Sequence, residues 1–233
     1  MRVLDLGTGL GHVARIVGEL VGSTGSVVGI DQSATAIAAA RQRSHDAGAA
    51  NVTFVEGDVT TWRASEPFDA IVGRLVLFHV ADPAAVVRHH LGNLRPGGTF
   101  AAIDFDIGAV RSEPAIPIVT EASAWVMQAF RAVGAWPRIG PRLRPILGQA
   151  GLTNVTTIGM QVYMSPQDSG AAQLAGIVRS LAPAIVRHGI ATEEQLDIAT
   201  LERRITEAVA QANAVILLPT VVGAWGISES AHG

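Results

Sequence analysis

Apolar residues fall along this chain in two alternating rhythms. Short, mainly apolar runs have the length and composition of buried strands: RVLDL (2–6), SVVGI (26–30), VTFV (52–55), DAIVG (69–73) and TFAAID (99–104). Between them, apolar residues recur every three or four positions. Over 11–21, Val13, Ile16, Val17 and Leu20 mark one helical face. A second helix is expected over 34–47, capped by Ser33 and ended by Gly48. A third, over 83–94, stops at Arg95-Pro96-Gly97-Gly98. Strand and helix thus alternate, which predicts a parallel sheet with helices on both faces.

The rhythm changes in the second half. Residues 112–134 read as mainly helical, 141–150 as a short helix ended by Gly151, and 154–164 as a strand. Helices follow over 169–187 and 193–212, the latter with Leu201, Ile205 and Val209 four apart. Residues 214–222 form a last strand. A helical insertion therefore separates two final strands able to pair antiparallel. We expect residues 1–110 to form a ligand-binding core, and 111–233 to add substrate-side helices and the final strands to the same domain.

Composition narrows the function classes. Of 233 residues, 48% are hydrophobic and 16% charged, so a large core is expected and disorder is not. A formal net charge of −3 argues against a sequence-independent grip on nucleic acid, which needs a basic face. There are no cysteines, which excludes disulfides, thiolate metal sites and cysteine nucleophiles. No stretch approaches the roughly 20 apolar residues of a membrane span. The N-terminus lacks the apolar segment of a signal peptide, so a cytoplasmic setting without a membrane partner is expected.

Four blocks carry candidate chemistry, each at the carboxyl end of a strand, where open α/β sheets bind ligands. The first is Asp5-Leu6-Gly7-Thr8-Gly9-Leu10-Gly11. Its glycines allow a tight turn and close backbone approach to a ligand. The spacing is G-x-G-x-G rather than the G-x-G-x-x-G of dinucleotide sites, and His12 stands where the third glycine of that pattern would be. Asp5 would repel a pyrophosphate and attract an ammonium group. The second block ends at Asp31, whose carboxylate can accept both hydrogens of a ribose diol. The third is Glu56-Gly57-Asp58-Val59, where an acid can accept from an adenine amino group. The fourth, Phe68 to Leu75, would close the floor of the same crevice.

Taken together, VLDLGTGLG, VVGIDQS, VEGDVTTW, FDAIVGRLVLFHV and LRPGGTFAAID stand in order and at usual spacings from Val3 to about Asp106. This stretch resembles the class I S-adenosylmethionine-dependent methyltransferase superfamily. The remainder, from GAWPRIGPRLRPILGQAGLTNV onward, is similar to small-molecule methyltransferases of bacterial metabolism. The resemblance implies a Rossmann-like, seven-stranded, mostly parallel sheet with a reversed final strand, and S-adenosyl-L-methionine as cofactor. It implies that Asp5, Gly7, Thr8 and Gly9 surround the methionine moiety and that Asp31 holds the ribose. Gln32, Asp58 and Val59 would contact adenine, with Arg74 and Leu75 beside the sulfonium. Members usually carry one or two helices before the first strand. This chain starts at the strand, so a truncated chain, or cover by a partner or by the inserted helices, is implied.

The acceptor side is less defined. His79 and Asp104 are the candidate bases, with Asp106 a further one; the two carboxylates could equally bind a cationic substrate, or one of them only cap the next segment. His89 and His90 are adjacent on a helix, point apart, and read as surface or packing residues. No metal-binding pattern occurs, so no metal is expected. The expected function is methyl transfer to a small-molecule acceptor, at O, N or C. The alternative is an S-adenosylmethionine-binding protein with other chemistry or none. The helical stretches 112–134 and 169–212 would wall the substrate, and their apolar content suggests a hydrophobic or aromatic acceptor. A homodimer is left open.

Overall fold

The structure, a computed structural model, describes residues 1–229. The end of the expected second part, residues 230–233, lies outside them. The chain divides into two compact units and crosses between them four times. The first unit holds residues 1–104, 141–158 and those from 222 on; the second holds 105–140 and 159–221.

The first unit is built on a seven-stranded sheet. In chain order it contains β1 (Arg2–Leu6), α1 (His12–Val21), β2 (Ser26–Asp31), α2 (Ala34–Asp46) and β3 (Val52–Glu56). Then come β4 (Phe68–Arg74), a 3₁₀ turn at Leu77–His79, α3 (Pro83–Leu91) and most of β5 (Leu94–Asp106). Strand β6 (Arg111–Glu113) and α4 (Pro117–Ala132) belong to the second unit. The chain returns with α5 (Leu143–Gln149) and β7 (Thr153–Met160). The second unit continues with β8 (Tyr163–Met164), α6 (Gly170–Arg187), α7 (Glu193–Leu196), α8 (Ile198–Gln211) and β9 (Val215–Leu217). Strand β10 (Thr220–Ile227) closes the sheet of the first.

The sheet order is β3-β2-β1-β4-β5-β10-β7. The pairs β2–β3, β1–β2, β1–β4 and β4–β5 are parallel. Strand β10 is reversed: the Ser228 amide at its end donates to Gly98 O near the start of β5, at 2.9 Å. Thr153 Oγ1 donates to Ile227 O and Thr157 Oγ1 to Gly223 O, so β7 and β10 run antiparallel. This is the expected Rossmann-like α/β fold. The switch in strand order between β1 and β4 puts a crevice above the carboxyl ends of β1, β2 and β4.

Several boundaries differ from expectation. The last sheet strand is 220–227, not 214–222; within the expected span, 215–217 instead pair with β6 and β8 in a separate antiparallel sheet. The helix expected over 193–212 breaks at Asp197, whose φ is 38°. Residues 95–98 do not stop at a turn before β5. They bulge out of it, since Phe68 pairs with Leu94 and Ala70 with Thr99.

Helix α1 also buries a different face. Ile16 and Leu20 are exposed, while Ala14 and Gly18 are buried and Val17 and Val21 pack against the core cluster that holds Val3, Val27 and Val52. A Cβ at Gly18 would sit 2.6 Å from Val52 Cγ2. The small residues therefore set how closely helix and sheet approach, which apolar periodicity alone did not reveal.

In the second unit, α4, α6 and α8 pack on one another, and Leu201, Ile205 and Val209 face inward as their spacing implied. Among the described residues no helix is long and apolar enough to cross a membrane.

Candidate functional site

The loop from Gly7 to Gly11 turns between β1 and α1 with three left-handed glycines: φ is 59° at Gly7, 52° at Gly9 and 76° at Gly11. Thr8 locks the turn. Its amide donates to Ile30 O at 2.8 Å and its hydroxyl to Asp5 Oδ2 at 2.6 Å. The two glycines that follow the strand end differ in surroundings. A Cβ on Gly7 would lie 2.5 Å from Val76 Cγ2, whereas one on Gly9 meets nothing within 4 Å.

That contrast makes a prediction. Gly7→Ala combines left-handed strain with a clash against a stiff β-branched side chain, so a loss of about 2–3 kcal/mol of stability is expected. Gly9→Ala carries the strain alone, about 1 kcal/mol. Urea titrations of the two variants would show the difference; equal losses would contradict the close packing of Gly7 under Val76.

Asp31 ends β2 and stands between the glycine loop and α2. Its Oδ2 accepts from the Gly9 amide and its Oδ1 from the Ser33 amide, both at 2.9 Å. Ser33 in turn caps α2 by accepting from the Ala36 amide. The carboxylate is thus oriented by two amides and keeps lone pairs free on both oxygens.

A cleft of about 400 Å³ opens above these strand ends, lined by Gly7, Asp31, Gln32, Asp58, Val59, Thr60, Leu75, Val76, His79, Val80 and Ala81. Seven of the residues singled out in the sequence therefore meet on one surface. Clefts of about 510 and 630 Å³ lie elsewhere in this unit, around α2 and β3 and beside α1. Neither sits over the carboxyl ends of β1 and β4 or gathers the carboxylates of Asp31 and Asp58, so the cleft at the strand ends is the candidate site.

Asp58 is exposed, and its Oδ1 accepts from both the amide and the hydroxyl of Thr60, which hold its carboxyl below the usual range. Leu75 lines the cleft in a left-handed conformation, φ 58°, with its amide donating to Ile103 O at 2.8 Å. A non-glycine residue held there stores roughly 1–2 kcal/mol of strain. His79 ends the 3₁₀ turn at the rim, where partial desolvation lowers its imidazole pKa.

The structure places Asp5, Thr8, Arg74 and Asp104 differently from expectation. Asp5 is buried, 1% exposed, and its carboxyl faces the loop and the start of α1 rather than the cleft. Burial chiefly pushes it up to about 7, while the Thr8 hydroxyl and the Ala14 amide pull it back; Asp31 repels its charge and Arg74 attracts it. It braces the turn through Thr8, itself buried. Arg74 is exposed at the end of β4, off the lining. Asp104 is fully buried in β5, and neither of its oxygens makes a hydrogen bond. Desolvation dominates there too, raising its pKa to about 7 despite the facing amides of Phe78 and Leu77. Asp106, in the second unit, caps the turn at Gly108 and pairs with Arg138.

Sequence reasoning missed Thr60, which anchors Asp58, and Val76, which roofs Gly7. Of its two readings of His90, surface or packing, the buried one holds. His90 is fully buried and its ring is bonded at both nitrogens. Among the described residues no cluster of three or more potential metal ligands occurs.

Residues 1–147 match a family model described as a methyltransferase domain. Over 105 residues the chain is 35% identical to an arsenite methyltransferase from Aquipseudomonas alcaligenes, covering 42% of this chain and 30% of that protein. Over 170 residues it is 29% identical to a 2-phytyl-1,4-naphtoquinone methyltransferase from Thermosynechococcus vestitus, covering 65% and 72%. It spans only 30–37% of the length of the first two curated relatives it matches. In fold it is similar to the YcgJ protein from Bacillus subtilis, with a TM-score of 0.61 at 18% identity over 99% of this chain and 92% of that one. With the family match spanning more than half its length and the ordered motifs gathered at the strand ends, the chain belongs to the methyltransferase-domain family, within the class I S-adenosylmethionine-dependent superfamily.

Proposed function

We propose that this protein uses S-adenosylmethionine to methylate a small-molecule acceptor. The observation that carries the reading is Asp31, a carboxylate fixed by two amides at a strand end, with free lone pairs toward a cleft of ligand size. A ribose diol is the chemistry that such a group matches. The residues fit the cofactor: open space over Gly9 allows close backbone approach, and Gln32, Asp58 and Val59 continue the lining from Asp31.

When bound, S-adenosylmethionine supplies a methyl group made electrophilic by its sulfonium. The chain's task is then chiefly positional, because in-line displacement needs the acceptor held close and collinear. Leu75, Val76, Val80 and Ala81 give the cleft an apolar wall suited to a hydrophobic acceptor. His79 is the group placed to take a proton, and its lowered pKa keeps it neutral and able to act as a base near pH 7. Asp104 lies off the lining, so any part it plays is indirect, through the turn that carries His79. The names of the relatives, an arsenite and a naphthoquinone methyltransferase, support a small acceptor. We take the setting to be the cytoplasm, with no nucleic-acid partner and a homodimer allowed. The net charge of −3 supports excluding nucleic acid.

The test is incubation with methyl-labelled S-adenosylmethionine and separate small-molecule, protein and RNA fractions. S-adenosylhomocysteine production that depends on the small-molecule fraction is expected. Label entering only protein or RNA would sink the reading. Binding without turnover in any fraction would favour a cofactor-binding protein with other chemistry.

A further inference from the structure

The loop after β3 carries Asp58, Val59 and Thr60 into the cleft, and it is tied from behind to the end of α3. His90 Nε2 lies 2.8 Å from Val59 O. A carbonyl only accepts, so Nε2 carries the proton and the other ring nitrogen is an acceptor. That nitrogen, Nδ1, takes a hydrogen bond from Asn93 Nδ2 at 2.9 Å. The Asn93 amide is thereby oriented, and its Oδ1 accepts from the Ala64 amide at 3.1 Å. The three bonds form one directed chain, Ala64 to Asn93 to His90 to Val59, and each fixes the direction of the next.

Neighbouring contacts reinforce the tie. His89 Nε2 is 2.9 Å from Trp62 O, and Arg63 Nη1 donates back to His89 O. The side-chain hydrogen bonds of Asp58, by contrast, stay within two residues of it and hold only the local turn. His90 is fully buried and meets the cleft lining at the backbone of Val59.

We propose that His90 and Asn93 are positioning residues for the cofactor side of the cleft, holding Val59 and its loop in the binding conformation through this relay. The inference rests on the proposed cofactor reading. The relay requires a neutral imidazole, and burial supplies it by pushing His90 down to about 4, with His89 and Arg63 further opposing its charge. The i, i+3 spacing is what lets both side chains meet one loop: His90 sits in the last turn of α3 and Asn93 just beyond it.

Calorimetric titration of the full chain with S-adenosylhomocysteine tests this. Asn93→Leu removes the orienting donor and should raise Kd about tenfold, the scale of one lost hydrogen bond. His90→Leu should do the same, and the double variant should lose no more than either alone, because all three break one chain. Asn93→Asp should weaken binding as Asn93→Leu does, since a carboxylate still accepts from Ala64 but cannot donate to the acceptor Nδ1 of a neutral His90. Nitrogen-detected NMR supplies a readout that does not depend on the leucine variants folding. Wild-type His90 should show the Nε2–H tautomer, and its ring resonances should move on saturation with S-adenosylhomocysteine. Unchanged Kd in the variants, or His90 resonances indifferent to the ligand, would overturn the inference alone. A wild-type chain that binds no S-adenosylhomocysteine would overturn the functional reading and the inference with it.

Discussion

Replacing Asp31 with alanine is expected to weaken S-adenosylhomocysteine binding by about 100- to 1,000-fold while leaving the fold in place. The size follows from the chemistry. A carboxylate that accepts both ribose hydroxyls makes two charge-assisted hydrogen bonds, together worth about 3–4 kcal/mol. The fold should survive because the groups left behind have alternatives. The Gly9 and Ser33 amides lie at partly exposed positions and can turn to water. Helix α2 keeps its Ser33 cap, and the Gly57 amide still donates to the backbone carbonyl at position 31. Asp31→Asn should fall between alanine and wild type, since its amide nitrogen must face one of two N–H donors. Calorimetry paired with a thermal melt separates binding from folding. Wild-type affinity in the alanine variant would remove Asp31 from the site.

The parallel half of the fold was legible because its code is local. Each strand is a short apolar run, each helix has punctuation at its ends, and each motif sits where one gives way to the other. The second half was harder for a physical reason. Residues 214–222 read as one strand, yet Leu218 and Pro219 divide them between two sheets. Apolar content says that a segment is buried, not against which partner. Helix α1 failed similarly: the pattern counted Ile16 and Leu20 as its inner face, and the close approach allowed by Ala14 and Gly18 decided otherwise.

The site divides along the same line. Asp31, Gln32, Asp58, Val59 and Leu75 could be placed because strand ends converge in this topology, and all five line the cleft. Side-chain direction was not legible. Asp5 stands beside the same crevice but turns into the loop, where Thr8 and the start of α1 receive it. His90 was hidden because its partner, the Val59 carbonyl, lies 31 residues away and carries no sequence signal. The spacing of His90 and Asn93 at the end of a helix was the only hint available.

The second large effect concerns pH. Asp104→Asn is expected to stabilise the chain at pH 8 by on the order of 4 kcal/mol, with the gain shrinking toward pH 4. Asp104 is fully buried, the facing amides of Phe78 and Leu77 do not make up for the lost water, and it titrates near 7 in the folded chain against 3.8 in the open chain. Between those values the native state holds a proton that the unfolded state has released. Stability is therefore fully present below about pH 4 and is lost as pH rises through 7. Asp5 contributes a loss of the same sign over the same window. His90 acts oppositely. Its imidazole stays neutral down to about 4 when folded but protonates near 6.5 when unfolded, so its contribution is lost as pH falls between them. The imidazoles of His90 and His79 thus oppose the two carboxyls below pH 6.5, and neither does so above it. Asparagine keeps the shape of Asp104 and cannot ionise, which isolates the cost of burying that charge. Unfolding midpoints of wild type and variant at pH 4.5 and 8 would measure it. For a chain of this size the difference at pH 8 corresponds to roughly 10 °C in Tm. A variant no more stable at pH 8 than at pH 4.5, relative to wild type, would mean that Asp104 already finds water or a partner for its charge.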